Sequence, residues 1–373
     1  MLSSTLTQKP AITIAYFISP HGFGHASRSS SIMEALKELS PGIHFEIFTS
    51  IPDWFFLDSL NDGYTYHHLK SDIGLVQKDP LNADIPETIQ SLNTFIPFNT
   101  AEIQSLVETI QLKECQMVIC DISPMGIEVA KKAEIPSILI ENFTWDWIYQ
   151  GYVSRYPDLV KHIKYLKDLF ADADYHIQTE PICVPCTANL STNPISRKVR
   201  TEKKEFRNRL GIADTQKLIT ISMGGIPQEY TIPEIIKQNR DFFFLIPGGG
   251  TSLVKKDNLI LLPHRSDIFH PDLINASDVV IGKLGYSTLS EIYHAGCPFG
   301  FISRPDFVES EKLADFVQKN MVGMEIQMDV FDNGEWSDHL FELSKLPKTK
   351  DNYTNGAVQA GGFILDLLNT EKV

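Results

Sequence analysis

Short apolar runs alternate with amphipathic stretches along the first half of the chain. The β-branched and aromatic run at 12–18 predicts a buried strand. Apolar residues at helical spacing predict a helix from Ser27 to Leu39. Further predicted elements are strands at 45–48, 117–120 and 137–140 and a short helix at 126–132. This strand–helix–strand order is typical of a parallel sheet with right-handed crossovers.

The same pattern begins again after about residue 195. The predicted elements there are strands at 218–222, 242–246, 259–262, 278–281 and 298–302 and a helix from about Ser287 to Ala295. The segment 186–200 is rich in Asn, Ser, Thr and Pro, which predicts a linker between the two halves. Two doubly wound α/β halves should bind a ligand in the cleft beyond the carboxyl ends of their strands.

Length and composition favour a two-domain globular protein. The chain has 373 residues, which is more than one hydrophobic core usually serves. Its 43% hydrophobic and 21% charged residues are ordinary for a soluble protein. The formal net charge of −14 would repel a phosphate backbone, so we expect no nucleic-acid partner. The basic run at 197–209 is interpreted as a solvated helix face.

Targeting and membrane-spanning segments are not evident in the sequence. No stretch approaches the roughly 18 apolar residues that a membrane span needs, and the N-terminus lacks an apolar signal core. We therefore expect a cytoplasmic protein without a transmembrane segment. Apolar runs at 54–57 and 95–98 leave open a peripheral contact with a membrane, although helix core is the favoured interpretation of both.

The cysteines predict neither a disulfide framework nor a metal site. There are five of them, a small and odd number. Cys183 and Cys186 form one CxxC pair, but no second pair or nearby histidine stands at a zinc-binding spacing. We expect no metal ligand and no cofactor.

A strand, a glycine-containing loop and a helix start follow one another at 276–291. The glycine allows close approach of the backbone, the hydroxyl and N–H groups of the helix start can bind phosphate, and the lysine adds a positive charge. The candidate ligands are Lys283, Gly285, Ser287, Thr288 and Glu291. Glu291 lies one turn into the helix, where its carboxylate can accept ribose hydroxyls. A capping box of Thr288 and Glu291 is the alternative.

A loop with two histidines follows the first strand. His21-Gly22-Phe23-Gly24-His25 does not fit a GxGxxG dinucleotide motif, because the third glycine position is Ser27. A histidine is suited to removing a proton from a hydroxyl, since its pKa lies near neutral pH. Asp121, at the end of a later strand, can orient such a histidine. The alternatives are that the loop histidine and Asp121 each cap a following helix.

Asn142, Trp145 and Asp146 form a further candidate set after the strand at 137–140. Aromatic rings suit the faces of sugars, and amide and carboxylate groups suit their hydroxyls. Hydrophobic packing at a domain edge explains the tryptophans equally well. We assign this segment either to the part of the cleft that would bind the molecule accepting a sugar, called the acceptor side, or to a structural role.

Together these segments resemble the GT-B glycosyltransferases, such as the N-acetylglucosaminyltransferase of peptidoglycan synthesis. The chain is more similar still to the glycosyltransferase-like N-terminal domain of L-arabinokinases. The matching residues are Ser277-Asp278, Gly282-Lys283, Gly285-Tyr286, Thr288, Ser290-Glu291, Phe299 and Arg304, with the segments 21–25, 142–148 and 271–273. The resemblance implies two Rossmann-like domains facing a cleft. Because the sequence ends at Val373, without the sugar-kinase domain of arabinokinases, kinase activity is not expected.

The resemblance also implies roles for the candidate residues. The donor-binding set is Gly224, Gly225, Lys283, Gly285, Ser287, Thr288, Glu291, Glu309, Ser310 and Glu311. In this set the glycines and hydroxyls would face the diphosphate, Glu291 the ribose, and the last three residues the donor sugar. The base pocket would lie near 263–268. His25 would be the catalytic base, oriented by Asp121, with His21, Gly22 and Gly24 on the acceptor side.

The expected reaction is an inverting, metal-independent sugar transfer from a nucleoside-diphosphate sugar to an acceptor hydroxyl, with UDP as the favoured nucleotide. The acceptor would be a small molecule, a glycan or a lipid-linked sugar. The alternatives are a nucleotide-sugar epimerase or hydrolase and a non-catalytic nucleotide-sugar-binding module. The predicted acceptor-side domain spans 1–190 and includes a C-terminal helix at about 356–373, and the predicted donor domain spans 191–355.

Overall fold

The computed structural model describes residues 12–79, 82–224, 241–263, 265–349 and 353–370. The strands of the first half are β1 (Ile12–Ile18), β2 (Ile43–Thr49), β3 (Tyr64–His68), β4 (Gln77–Asp79), β5 (Asn82–Ala83), β6 (Met117–Asp121), β7 (Ser137–Glu141), β8 (Tyr175–Thr179) and β9 (Leu190–Thr192). Seven of them form a parallel sheet in the order β3-β2-β1-β6-β7-β8-β9. The other two, β4 and β5, form a small antiparallel ribbon.

Helices connect these strands. They are α1 (Phe23–Leu39), α2 (Asp53–Leu60), α3 (Ile85–Phe95), α4 (Thr100–Leu112), α5 (Pro124–Ala133), α6 (Trp145–Gln150) and α7 (Val160–Ala171), with a 3-10 helix at Pro157–Leu159. All seven residues of β1 are buried, as expected for a parallel strand covered on both faces. Tyr16 and Ile18 pack into one hydrophobic cluster and Ala15 and Phe17 into another, so the strand's alternation supplies a core on each face of the sheet.

The second half builds a sheet of the same kind. Its strands are β10 (Lys217–Ser222), β11 (Phe242–Gly250), β12 (Val254–Lys256), β13 (Leu259–Pro263), β14 (Val279–Lys283), β15 (Phe299–Ile302) and β16 (Gly323–Glu325). They lie in the order β12-β13-β11-β10-β14-β15-β16, parallel except at the β12 edge. The helices are α8 (Lys203–Leu210), α9 (His270–Ala276), α10 (Tyr286–Ala295), α11 (Ser310–Asn320), α12 (Met328–Asp332) and α13 (Ser337–Lys345). The predicted fold class of two doubly wound parallel sheets is confirmed.

A last helix, α14 (Gly356–Thr370), packs against the first sheet's unit. Its buried Ala360, Ile364 and Leu368 join the same cluster as Ile32 of α1. Gly361 allows the two helices to approach closely, since a Cβ there would lie 3.4 Å from the Cβ of Ala35.

Both sheets reverse their strand order at one point, and these two points define the place for a ligand. In the first sheet the reversal falls between β1 and β6, and in the second between β10 and β14. Ligands of open α/β sheets bind beyond the carboxyl ends of the strands at such points. The loop after β1, Asp121 at the end of β6, Gly224 after β10 and Lys283 at the end of β14 therefore mark the expected site.

Several sequence-based boundaries differ from the structure by a few residues, and those described here lie near the site or the linker. Helix α1 begins at Phe23, four residues before the predicted start, so His25 lies in its first turn and not in the loop. Gly282 lies inside β14, not in the following loop, because a glycine is needed where the strand passes the carbonyl oxygen of Ser222. The predicted linker at 186–200 contains the short strand β9. Gly225 lies outside the described residues.

The two apolar runs considered for membrane contact lie mostly in the core. Phe55, Phe56, Ile96 and Phe98 are buried, whereas Leu57 is half exposed. In the described part of the chain, no helix combines the length and apolar character needed to cross a bilayer.

Replacing Gly282 with alanine should destabilise the second sheet. The added Cβ would lie 2.0 Å from the backbone oxygen of Ser222, and backbone cannot move aside as a flexible side chain can. We expect the free energy of unfolding in urea to fall by about 2 kcal/mol or more. Gly362→Ala in α14 is the matched control, because its Cβ would meet nothing within 4 Å. That control should be neutral or stabilise by up to about 1 kcal/mol; equal midpoints for both variants would contradict the expectation.

Candidate active site

Two adjoining cavities lie between the carboxyl ends of the two sheets. The first has a volume of about 330 Å³ and is lined by the loop after β1, the segment after β7, Lys283 and the start of α10. The second, of about 340 Å³, is lined by Trp54 and Phe55 of α2, the segment 265–270 and Glu291. Both share Ser287 and Thr288 of α10, so these hydroxyls stand where the cavities meet.

A buried carboxylate, Asp121, holds His25 at the wall of the first cavity. His25 Nδ1 lies 2.8 Å from Asp121 Oδ1. Arg28 donates from Nε to Oδ2 and from Nη2 to Oδ1, each at 2.7 Å, and Ser29 donates to Oδ2 at 3.2 Å. Burial raises the pKa of Asp121, but the charge and hydrogen bonds of Arg28 and the hydrogen bond of His25 outweigh it and hold the pKa below its usual range.

This arrangement fixes the tautomer of His25. Because Asp121 is ionised, Nδ1 carries a proton and donates it, which leaves the Nε2 lone pair of the neutral ring free to accept a proton from a ligand. The alternative that His25 or Asp121 merely caps a helix is wrong: His25 lies inside α1, and the carboxylate of Asp121 contacts side chains of that helix. Asp121 thus orients the imidazole of His25 while it is also paired with Arg28.

Asn142 connects this cluster to the next strands of the sheet. Its Oδ1 accepts a hydrogen bond from Arg28, and its Nδ2 donates to Thr179 Oγ1 at 2.8 Å. The amide is 4% exposed and uses both ends on protein partners, while the residue also lines the first cavity. Asn142 therefore positions Arg28 as well as forming part of the wall.

His21 has a different role from His25. The backbone N–H of Leu75 donates to His21 Nδ1 at 3.2 Å, so the neutral ring carries its proton on Nε2. Burial and the nearby His25 lower the pKa of His21 to about 3. An imidazole with so low a pKa is a hydrogen-bond donor and not a general base at neutral pH.

The ring of Trp145 packs against the ring of His21. Its ring meets the His21 ring edge-on, with centroids 5.0 Å apart. Its indole N–H donates to Asp72, whose other contacts include the hydroxyl of Ser19 at 2.8 Å. Burial raises the pKa of Asp72 to about 7. Trp145 lines the first cavity, but Asp146, in the same helix, is not among the residues that line either cavity.

Two helix N-termini face each other across the first cavity. Gly285 precedes α10 and Gly22 precedes α1, and neither start has a side-chain cap. Free N–H groups at a helix start attract anions. A Cβ at Gly24 would lie 3.7 Å from Ser287 Oγ, which measures how closely the two helix starts approach. The predicted capping box of Thr288 and Glu291 is not formed, since Gly285 is the N-cap residue.

Three charged side chains close the first cavity on the side of the second sheet. Burial and the charge of Arg304 lower the pKa of Lys283 to about 7, although Glu309 acts in the opposite direction. Gly224 leaves room for this lysine, since a Cβ there would lie 3.0 Å from Nζ. Arg304 donates to Glu309 Oε1 at 3.0 Å. Arg304 Nε and Glu309 Oε2 are buried without a hydrogen-bond partner among the described residues, so both have bonding capacity left for a ligand.

Ser310 and Glu311, the other two residues predicted to contact the donor sugar, do not line either cavity. Ser310 is the first residue of α11, and its hydroxyl is buried without a partner in the described part of the chain. Glu311 is exposed and is not among the lining residues of either cavity.

Glu291 lies on the second cavity, where both of its carboxylate oxygens contact basic side chains of the protein. Arg197 donates to Oε1 at 3.2 Å, and the imidazole of His270 contacts Oε2. Burial raises the pKa of Glu291, but the charges of His270 and Arg197 hold it below its usual value. A carboxylate oxygen has two lone pairs, so Glu291 can still accept hydroxyls of a ligand.

The interpretation of 197–209 as a solvated helix face is wrong for several of its arginines. The guanidinium of Arg197 lies 4.9 Å from the ring centroid of Phe55 and 4.8 Å from that of Phe269, which places it between the two units. Arg200 stacks on Phe269 at 4.1 Å. Both arginines line the second cavity, and Arg207 is buried against Asp278. Phe55, one of these aromatic partners, belongs to the run 54–57 that the sequence analysis assigned to helix core.

The fold is that of the GT-B glycosyltransferases. A glycosyltransferase of kitacinnamycin is 12% identical, with a TM-score of 0.63 and coverage of 95% of this chain and 98% of that one. MurG of Acinetobacter baumannii is 14% identical, with a TM-score of 0.54 and coverage of 96% and 99%. The spinosyn forosaminyltransferase SpnP is 12% identical, with a TM-score of 0.59 and coverage of 97% and 98%.

Sequence comparison finds a relative of higher sequence identity than these structures. L-arabinokinase of Arabidopsis thaliana is 27% identical over 351 residues, which cover 92% of this chain and 33% of that protein. The chain thus spans about a third of the length of this relative. No protein-family model matches the chain.

Replacing Arg28 with methionine should destabilise the protein strongly. The change leaves Asp121 fully buried without its guanidinium partner, and breaking a buried ion pair costs about 3–5 kcal/mol. The measurement is the free energy of unfolding in urea. Arg155→Met is the control, because Arg155 is exposed and its replacement should change stability by less than about 0.5 kcal/mol. A loss for Arg28→Met no larger than for the control would show that Asp121 does not depend on Arg28.

Proposed function

We propose that the protein transfers a sugar from a nucleoside-diphosphate sugar to an acceptor hydroxyl. The observation that carries the proposal is the pairing of two groups across one cavity. On one wall His25 presents a ring nitrogen fixed by Asp121, and on the other the uncapped start of α10 stands beside Lys283. The first wall can accept a proton and the second can stabilise a departing anion.

The charge of the cavity walls supports an anionic ligand. The described residues lining the two cavities include six Lys and Arg: Arg28, Lys283 and Arg304 in the first, and Arg197, Arg200 and Arg265 in the second. They include five Asp and Glu: Glu180 and Glu309 in the first, and Asp58, Asp267 and Glu291 in the second. The balance is 6 − 5 = +1, whereas the whole chain has a formal net charge of −14. The lining of the cleft is therefore less negative than the rest of this acidic protein.

In the proposed reaction His25 removes the proton of the acceptor hydroxyl through Nε2. The oxygen then attacks the anomeric carbon from the side of the first sheet, and the bond to the diphosphate breaks on the side of the second sheet. Attack and departure on opposite faces invert the anomeric centre. Asp121 keeps the imidazole in the required tautomer throughout, and His21 donates an Nε2–H to a sugar oxygen.

The nucleotide would occupy the second cavity with its diphosphate at the junction of the two. Ser287, Thr288 and Gly224 line both cavities, so the diphosphate would reach them and the N–H groups of α10 together. Glu291 would receive the ribose, and the base would lie against Pro263 and the segment 265–268. Helix N–H groups, Lys283 and hydroxyls would stabilise the leaving diphosphate, so the proposed reaction uses no metal ion.

Donor binding should weaken with increasing pH in a manner that depends on Lys283. Its pKa of about 7 means that Lys283 is charged below this pH and neutral above it. The charged form attracts the diphosphate, so the affinity for a nucleoside-diphosphate sugar should fall up to about 10-fold per pH unit above pH 7. The measurement is calorimetric titration from about pH 6 to about pH 8.5, after a thermal-shift screen of UDP, GDP, ADP and dTDP sugars.

Lys283→Met is the matched variant for this titration. It should bind the same donor more weakly at pH 6 and lose most of the pH dependence. Nucleotide sugars have no terminal phosphate that titrates in this range, so the slope reports on the protein. No stabilisation by any of the four sugars would refute the proposal, and an unchanged slope in Lys283→Met would refute the role of this lysine.

His25→Ala should reduce turnover by about 100-fold or more while donor affinity stays within about twofold, because the imidazole contacts the acceptor and not the diphosphate. The measurement is product formation with donor and an acceptor panel, alongside calorimetric donor binding. Asp121→Asn should reduce turnover similarly by allowing the wrong tautomer. Normal turnover of His25→Ala would show that another group is the base. Donor breakdown at an equal rate without acceptor would indicate a hydrolase or epimerase instead.

A further inference from the structure

Cys186 of the CxxC pair lies in a cluster that the sequence pattern does not predict. Its thiol is on the surface, 3.5 Å from Nδ1 of His176 on β8. The other ring nitrogen of His176, Nε2, lies 2.8 Å from Oε1 of Glu141 at the end of β7. Cys183, the other cysteine of the pair, points away and its sulfur lies 2.9 Å from the hydroxyl of Tyr286. The CxxC therefore does not act as a pair, and each cysteine has its own partners.

The carboxylate of Glu141 has bonding capacity that the protein does not use. Glu141 is 3% exposed, and its Oε1 contacts His176 and accepts from Gln178 Nε2 at 2.8 Å. Its Oε2 is buried without a hydrogen-bond partner among the described residues. Within that part of the chain, His176 is also the only basic side chain within salt-bridge distance of Glu141, and its imidazole is charged only when protonated. A buried carboxylate with a free oxygen is costly unless a cation or donor meets it.

We propose that Glu141, His176 and Cys186 bind a borderline divalent cation of the Zn²⁺ type. Their ligand atoms lie within 4.8 Å of one another. Around tetrahedral zinc, sulfur at about 2.3 Å and nitrogen at about 2.0 Å from the metal stand about 3.6 Å apart, close to the 3.5 Å found between Cys186 Sγ and His176 Nδ1.

Oxygen, nitrogen and thiolate sulfur together favour zinc over magnesium or calcium. The exposed thiol provides the entry path, and rotation of the Cys186 side chain can draw the three atoms together. On binding, the metal replaces one of the two contacts of the imidazole, and the thiol loses its proton to solvent.

The site would fix the segment that leads from β8 to the cleft. Gln178 holds this segment through the backbone of Val184 and Cys186, and Cys183 within it contacts Tyr286 at the start of α10. A metal at Cys186 would thus hold the first unit's edge against the helix that faces the first cavity. This role is structural and does not depend on the proposed sugar transfer.

The test is zinc binding by the reduced, chelator-treated protein, measured by competition with a chromophoric chelator. We expect one Zn²⁺ per chain and an affinity at least about 10-fold weaker in Cys186→Ser. Because Cys186 is exposed, this replacement should leave the fold intact. Glu141→Gln, close in shape, should also weaken binding. Cobalt should give a thiolate-to-metal charge-transfer band in the wild type and none in Cys186→Ser.

Two controls complete the experiment. Cys183→Ser removes the other thiol of the CxxC and His68→Ala removes an exposed surface histidine, and neither should change zinc affinity. Zinc should raise the melting temperature of the wild type and both controls but not of Cys186→Ser. Absence of stoichiometric binding, full retention of it in Cys186→Ser, or equal loss in Cys183→Ser would overturn the proposal.

Discussion

The ion pair between Asp121 and Arg28 is the interaction on which the rest of the site depends. Asp121 ends a fully buried strand at the point where the strand order reverses, and its charge could not remain there without the guanidinium. Because Arg28 also binds Asn142, and Asn142 binds Thr179, one chain of hydrogen bonds joins α1 to three successive strands. The same carboxylate sets the imidazole of His25. The contacts of Asp121 that hold α1 in place are therefore the same contacts that orient His25.

Periodicity predicted the sheets because it is a local property of the chain. Strand β1 and helix α10 were predicted from runs of neighbouring residues; the bounds of β1 match the structure, and the predicted start of α10 is one residue late. The partners within the site are not local. Arg28 and Asp121 are 93 residues apart in sequence, and Arg197 and Glu291 are 94 apart. The spacing of residues along the chain does not contain such pairings. The sequence signal for Arg28 was its position among four serines at 27–31 in α1, all of which the structure shows to be buried.

Arg197 and Arg200, in the linker, contact both units, so the second cavity that they line belongs to neither unit alone. Arg197 lies between an aromatic ring from each unit, and Arg200 donates to the carbonyl oxygens of Asp58 and Ser59 while stacking on Phe269. Cation–π contacts of this kind contribute about 0.5–2 kcal/mol each. The wall of the second cavity thus depends on α2, the linker and the segment before α9 at once. A change in the spacing of the units would reshape the second cavity.

Helix α14 has a consequence for how the protein is made. It is the last described helix in the chain, yet it covers α1, near the beginning. During synthesis, Ile32 and its neighbours leave the ribosome more than three hundred residues before Ile364 and Leu368 can cover them. For that time the first unit has an uncovered apolar groove, while the second can already complete its own core. Chaperone binding to the nascent chain should therefore concentrate on the unit that is synthesised first and finished last.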